Sequence, residues 1–146
     1  MVGSDPNVCS LAATDDGVVG AFASRRPENH KVNWLALCDD FYTYPETVSP
    51  NIPEDADNLN RYKSQASQLL HELTHFRFPN EIIDVNTQLR GMARTSTFYG
   101  MRDCSGLAGL YDGGSSELAT QNADNYRLFA EASYLQSRRW DPEATN

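Results

Sequence analysis

LNRYKSQASQLLHELTHF, residues 59–76, decides the fold expected for this chain of 146 residues. His71 and His75 are four positions apart, so on a helix both imidazoles project from one face about one turn apart. This is the spacing at which two ligands share one tetrahedral zinc ion. Glu72 lies beside them, where it can reach a metal-bound water and act as a general base. The segment predicts a zinc-dependent peptidase site on one helix.

The pattern around this motif predicts the bounds and faces of the helix. Asp57 can cap a helix that begins near Asn58, and Pro79 should end it soon after Phe76. Apolar residues recur at helical spacing and form one stripe, namely Leu59, Tyr62, Ala66, Leu69, Leu70 and Leu73. We expect the leucines to be buried, with His71 and His75 on a different side of the helix, lining a cleft.

A catalytic zinc ion needs a third protein ligand, and the local residues leave its identity open. A third His six positions after His75 would be typical of a metzincin, but Glu81 stands there and Phe78 replaces the expected Gly. His30 lies in a charged loop and is interpreted as a surface residue. The carboxylates available as ligands are Glu81, Asp84, Asp103 and Glu117.

The remaining pattern predicts an α+β fold in a single domain, residues 1–146, with strands first and helices afterwards. Two short strands are expected at residues 18–23 and 32–38, followed by a proline-rich loop at 43–58. Beyond the motif we expect a loop at 80–97 and helices at about 98–111 and 116–138. The last helix should place its apolar positions toward the core, namely Leu118, Ala119, Ala123, Tyr126, Phe129, Ala130, Ala132 and Leu135.

Composition excludes some classes of partner. The net charge is −8, which disfavours nucleic acid, and no Lys/Arg cluster is suited to an anionic membrane. No apolar run is long enough to cross a bilayer, and the amino terminus lacks a signal-peptide pattern. Of three cysteines, Cys9 and Cys38 can form a disulfide that leaves Cys104 over, as suits a secreted protein. The alternative is three buried, reduced thiols.

Four segments together resemble the aspzincin metallopeptidases, the family of deuterolysin and the peptidyl-lysine metalloendopeptidases. They are LALCDDFYTYP at 35–45, HELTHF at 71–76, YGMRDCSGLA at 99–108 and NADNYRLFAEA at 122–132. The resemblance implies a zincin-like fold, with a small sheet followed by the active-site helix and carboxy-terminal helices. It also implies a secreted, monomeric, zinc-dependent enzyme.

The resemblance implies a ligand set of His71, His75 and Asp84, with Glu72 as the base. The family's ligand Asp follows the second His by about nine to eleven residues, and Asp84 is nine past His75. The family's Tyr follows that Asp by three, where this chain has Thr87. The Tyr-Gly pair occurs instead at Tyr99, so we expect an insertion of about a dozen residues, a change that costs little thermodynamically. Tyr99 would then stabilise the oxyanion formed on attack.

Asp124 matches the first of two acids with which lysine-specific members bind the substrate side chain. Arg127 stands where the second acid would be, and its charge would repel a lysine. A surface or capping carboxylate is the alternative interpretation of Asp124.

The leading hypothesis is a secreted zinc endopeptidase that acts on peptide or protein substrates. The alternative is a catalytically weak or inactive relative that binds zinc and serves as a protein-binding module. A structural domain with an accidental HELTH match is a third hypothesis, which the agreement of several segments disfavours.

Overall fold

The computed structural model describes residues 9, 21–25, 33–49, 58–77, 81–89, 96–135 and 140–141. Strands β1 (Ala21–Arg25) and β2 (Asn33–Leu37) form an antiparallel pair in which Ala23 lies opposite Leu35. A 3-10 turn, Asp39–Thr43, follows β2. Cys38 lies between β2 and this turn and forms a disulfide with Cys9, which confirms the predicted pairing and leaves Cys104 as a buried free thiol.

Helix α1 (Gln65–Arg77) carries the HELTH motif and begins later than the sequence predicts. Asn58 instead opens a separate 3-10 turn, Leu59–Tyr62, by accepting a hydrogen bond from the backbone of Asn60. Ser64 and Ser67 then exchange hydrogen bonds from backbone N–H to side-chain hydroxyl, at 3.0 and 3.1 Å. This reciprocal cap satisfies N–H groups at the start of α1, so the helix begins there. Asp57 and Pro79, expected to bound the helix, lie outside the described residues.

The expected loop at 80–97 contains a short hairpin. Strand β3 (Asn86–Thr87) pairs antiparallel with β4 (Ser96–Thr97). Helix α2 (Gly100–Ser105) follows and widens into a π-type turn, Gly106–Leu110, so the expected helix at 98–111 is shorter and irregular at its end.

The expected long helix at 116–138 is two helices, α3 (Ser116–Gln121) and α4 (Ala123–Tyr134). Asn122 separates them with an extended backbone, at φ −97° and ψ 120°. The residues on either side of Asn122 form backbone hydrogen bonds with Ile83. The Ile83 carbonyl oxygen accepts from the N–H of Ala123 at 2.9 Å, and the Ile83 N–H donates to the carbonyl oxygen of Gln121 at 2.8 Å. The helix breaks because this tertiary bridge uses backbone groups that a continuous helix would need.

Two apolar clusters form the core of the described chain. One joins Val48, Leu59, Met101, Cys104, Leu128 and Leu135, and the other joins Val85, Leu89, Phe98 and Leu107. The expected faces of two helices are correct only in part, since Ala123 and Leu135 of the last helix are buried as expected but other apolar positions are exposed. On α1, Leu70 and Leu73 are 37% and 45% exposed, whereas Ser67, His71 and Thr74 are buried. On α4, Phe129 is 74% exposed, whereas Asp124, Arg127 and Glu131 are buried.

The described part of the chain is mainly helical with few strands, which agrees with the α+β class only in its coarse sense. The zincin-like arrangement remains a prediction. No helix in the described ranges is long and apolar enough to span a membrane.

Candidate metal centre

Three predicted ligands converge between α1 and the segment that precedes β3. The Nε2 atom of His71 lies 3.0 Å from Oδ1 of Asp84, and Nε2 of His75 lies 3.5 Å from Oδ2 of the same carboxylate. One ligand atom from each of the three side chains lies within 4.8 Å of the other two. The group could therefore hold a metal ion.

The second nitrogen of each imidazole faces an acceptor. Nδ1 of His75 lies 3.2 Å from the carbonyl oxygen of Ile82, and Nδ1 of His71 lies 3.3 Å from Oδ1 of Asp124. Because a carbonyl and a carboxylate accept hydrogen bonds, these contacts favour a proton on each Nδ1. In the neutral rings the lone pair is then on Nε2, directed toward Asp84, as in metal sites whose ligands are oriented by outer groups.

The surroundings of the Asp84 carboxylate show whether the site suits a cation. Its Oδ1 atom is buried and lies 3.0 Å from Nε2 of His71, which carries no proton in the neutral ring protonated on Nδ1, so in that form Oδ1 accepts no hydrogen bond. Burial alone raises the pKa of Asp84, but contacts with His71 and His75 outweigh it and hold this pKa well below its usual range. An anionic carboxylate faced by the lone pairs of two neutral imidazoles fits a bound metal ion, which accepts electron pairs from all three groups.

The fold fixes Asp84 through its two chain neighbours. Ile83 bridges the junction of α3 and α4, and the N–H of Val85 donates to Oδ1 of Asn122 at 3.1 Å. Asn122 is fully buried and also donates to the carbonyl oxygen of Phe98 at 3.0 Å. The junction thus ties the segment of Asp84 to the strand end that precedes Tyr99.

Among the described residues, the remaining carboxylates that were candidate ligands do not belong to the cluster of His71, His75 and Asp84. Glu81 and Glu117 are exposed, and Asp103 accepts a hydrogen bond from Tyr111 at 3.4 Å. His30 lies outside the described residues.

Glu72 is buried on α1 beside His71 and His75. The backbone N–H of Ala23 in β1 donates a hydrogen bond to its carboxylate. Burial raises the pKa of Glu72 to about 7 in the metal-free chain, although His71 and His75 act in the opposite direction. A carboxylate with this pKa can take up and release a proton near neutral pH.

Tyr99 reaches the site because the β3–β4 hairpin returns the chain to Asp84. Its ring lies 5.9 Å from that of His71 between centroids, and the residue is half exposed. Burial of the phenol and the nearby Asp84 carboxylate, with which it hydrogen-bonds, raise the pKa of Tyr99. The hydroxyl therefore stays protonated at neutral pH. Gly100 follows with φ 77°, a conformation that favours glycine and explains the Tyr-Gly pair.

Asp124 lies behind His71, with its side chain only 5% exposed. Its oxygens accept hydrogen bonds from the N–H of Gly100 at 2.6 Å and from two nitrogens of Arg127. Arg127 is buried and also pairs with Glu131 at 2.8 Å, so its charge is balanced within the protein. Because Arg127 is buried and paired with two carboxylates, its position gives no reason to expect that it repels a substrate lysine. A direct role of Asp124 toward substrate stays a prediction.

The sequence-based interpretation missed Glu131 and Ser67, which continue this buried polar contact between helices. The signal was present, since Asp124, Arg127 and Glu131 lie at i, i+3 and i+7, on one face of a helix with alternating charge. From the sequence, Asp124 is expected at the substrate or at the surface, and no role is predicted for Glu131.

Searches against protein-family models, curated proteins and solved structures found no match to this chain. The resemblance to aspzincins therefore stays a prediction drawn from sequence motifs. The geometry of the metal centre is the ground on which a function can be proposed.

Proposed function

We propose that this protein is a zinc-dependent endopeptidase in which His71, His75 and Asp84 hold the metal ion. One observation carries the proposal. Two imidazole nitrogens and the partly exposed carboxylate of Asp84 converge beside Glu72 and Tyr99, so a three-ligand metal site would adjoin both an acid–base group and a hydrogen-bond donor. Three protein ligands with one open position are typical of catalytic zinc sites.

The donor set favours zinc. Two neutral imidazoles and one carboxylate form a mixed nitrogen and oxygen set that suits zinc, whereas magnesium and calcium prefer oxygen ligands alone. Zinc bound here supplies Lewis acidity, which polarises a carbonyl group and lowers the pKa of a water molecule to about 7.

Glu72 acts as the general base. Its carboxylate accepts a proton from the attacking water and then delivers that proton to the nitrogen of the departing amine. A peptide amine is a poor leaving group until it is protonated, so one carboxylate serves both steps. The N–H of Ala23 fixes the orientation of Glu72 and connects the base to β1.

Tyr99 and β1 bind the substrate. The neutral phenol of Tyr99 donates a hydrogen bond to the oxygen of the tetrahedral intermediate, where negative charge develops. β1 pairs with β2 along one edge and approaches Glu72 through Ala23. An extended peptide adds along β1 as a further strand, which brings its backbone to the base.

The chemical class of substrate is peptide or protein, without a nucleic-acid or membrane partner. The net charge of −8 favours neutral or basic chains over acidic ones. The Cys9–Cys38 disulfide suits an oxidising compartment, so we propose that the protein is secreted and acts as a monomer.

The test combines metal analysis with a digest of denatured casein. We expect about one zinc ion per chain, and cleavage that a chelator abolishes and added zinc restores. Glu72→Gln should retain zinc and lose cleavage, because it removes the base and leaves the ligands in place. Glu117→Gln, a change at an exposed acid on α3, is the matched control and should cleave normally.

The alternative function, a zinc-binding module without catalytic activity, predicts a different result in this test. Zinc retained by the unaltered protein without cleavage of any denatured protein would identify a zinc-binding module that is not an enzyme. Absence of bound zinc would overturn the proposal as a whole.

A further inference from the structure

A buried polar network joins α1, which carries His71 and His75, to α4, which packs against it. Asp124 on α4 contacts Nδ1 of His71 at 3.3 Å with one oxygen and accepts the Gly100 N–H at 2.6 Å with the other. Arg127 binds both oxygens from the far side, with Nη2 at 2.9 Å from Oδ2. The carboxylate is thus held between a metal-ligand candidate and a guanidinium.

The network continues away from the site. Nη1 of Arg127 donates to Oε2 of Glu131 at 2.8 Å, and the Glu131 carboxylate faces the side chain of Ser67 on α1, whose hydroxyl donates to the carbonyl oxygen of Ser64 at 2.9 Å. Ser67 and His71 are one turn apart on α1, so two successive turns of this helix contact α4 through polar groups. Arg127 and Glu131 are 2% and 4% exposed, so the network is excluded from water.

Stability alone gives a weak reason for this arrangement. Removing two carboxylates and a guanidinium from water is costly, and well-packed apolar residues often replace buried ion pairs without loss. The contact with His71 gives a more specific reason. A carboxylate bound to Nδ1 of a ligand His fixes the tautomer and ring orientation and increases the basicity of the coordinating nitrogen.

We propose that Asp124 is a positioning residue for the metal ligand His71, and that Arg127, itself paired with Glu131, fixes the place of the Asp124 carboxylate against that imidazole. This inference rests on the metal site of the proposed function. It assigns Asp124 to support of the ligand, with no contact to substrate.

Zinc affinity of two isosteric variants tests the inference. Asp124→Asn removes the charge that faces His71, and we expect its zinc Kd to rise by about 10- to 100-fold, the usual effect of losing an outer-shell partner. Glu131→Gln neutralises one acid of the same network without touching His71, so it should lower the thermal midpoint yet change Kd less than about threefold. Competition with a chromophoric chelator measures both values.

The outcomes separate this inference from the proposed function. If the unaltered protein binds no zinc, the proposed metal site is wrong. If it binds zinc and Asp124→Asn matches it in affinity, or if both variants weaken zinc equally, the positioning role is overturned while the metal site stands.

A spectroscopic measurement covers the case in which Asp124→Asn fails to fold. In the zinc-loaded, unaltered protein labelled with 15N-histidine, His71 should show a protonated, slowly exchanging Nδ1 and a metal-bound Nε2. Coordination through Nδ1, or a rapidly exchanging Nδ1 proton, would contradict the hydrogen bond to Asp124.

Discussion

Nε2 of His71 and Oδ1 of Asp84 lie 3.0 Å apart, a separation that requires a shared proton or a cation between them. In the metal-free chain the proton fills this role. Burial alone lowers the pKa of His71, but hydrogen bonds to Asp124 and Asp84, together with their charges, raise it to about 9. Metal binding must therefore displace a proton that is firmly held.

The first prediction concerns the stability of the metal-free protein against pH. His71 has a pKa of 6.5 when unfolded and about 9 when folded, so it binds more protons in the folded state at intermediate pH. Its contribution is fully present below pH 6.5 and is lost as pH rises through about 9. Urea unfolding in the presence of a chelator should show this fall in the free energy of unfolding.

Two controls test whether His71 causes this pH dependence. Zinc-saturated protein should not show the fall, because the metal replaces the proton on His71. The metal-free variant His71→Gln lacks the titrating group and should also show a weaker pH dependence. Equal curves for the unaltered metal-free protein and this variant would refute the assignment.

The second prediction identifies the third ligand. Asp84→Asn keeps the shape of the side chain but removes the anionic oxygen that faces both imidazoles. We expect zinc affinity to fall by more than about 100-fold, since outer-shell changes alone cost 10- to 100-fold. Glu81→Gln, an exposed change in the same segment, should leave affinity unaltered. An unchanged Kd for Asp84→Asn would show that another group completes the site.

The third prediction concerns Tyr99. Tyr99→Phe removes the phenol donor and retains the ring, so kcat should fall by about 10²- to 10³-fold, the usual effect of losing one oxyanion donor. Zinc content and KM should change little, because the hydroxyl acts only on charge that develops during reaction. Tyr134→Phe alters an exposed tyrosine of α4 and is the control. A rise in KM with normal kcat would assign Tyr99 to substrate binding instead.

The fourth prediction concerns the junction of α3 and α4. Asn122→Ala leaves the N–H of Val85 and the carbonyl of Phe98 without their buried partner. Each unsatisfied group costs about 1–3 kcal/mol, so the variant should unfold at clearly lower urea concentration. Gln121→Ala, at the adjacent and less buried position, should cost less than about 1 kcal/mol. Similar losses in both variants would mean that Asn122 does not fix the junction.

Local geometry explains which parts of the site could be predicted. His71, Glu72 and His75 lie within one helical turn and a half, so the period of the helix alone sets their relation. The hairpin that returns Tyr99 to Asp84 and the break at Asn122 depend on contacts with residues distant in sequence. No local pattern interrupts residues 116–138, and the tertiary bridge to Ile83 creates the break.

Hydrophobic periodicity predicts the faces of α1 and α4 only in part. Such periodicity assigns leucines to the interior, but the interface of these helices contains Ser67, His71, Asp124, Arg127 and Glu131. Hydrogen bonds and ion pairs among the last four of these offset the cost of leaving water, and Nδ1 of His71 faces Asp124 on α4. The apolar side chains of Leu70 and Leu73 consequently lie on the outer side of α1.

This inversion gives the fifth prediction. Leu73 is 45% exposed, so Leu73→Gln should change the free energy of unfolding by no more than about 0.5 kcal/mol, as for most surface substitutions. Leu107 is fully buried in the second apolar cluster, and Leu107→Ala should cost about 2–5 kcal/mol. Urea unfolding of the zinc-loaded protein compares them. If Leu73→Gln costs nearly as much as Leu107→Ala, then the leucines of α1 face the core. That result would contradict the orientation of α1 that brings His71 and His75 to Asp84.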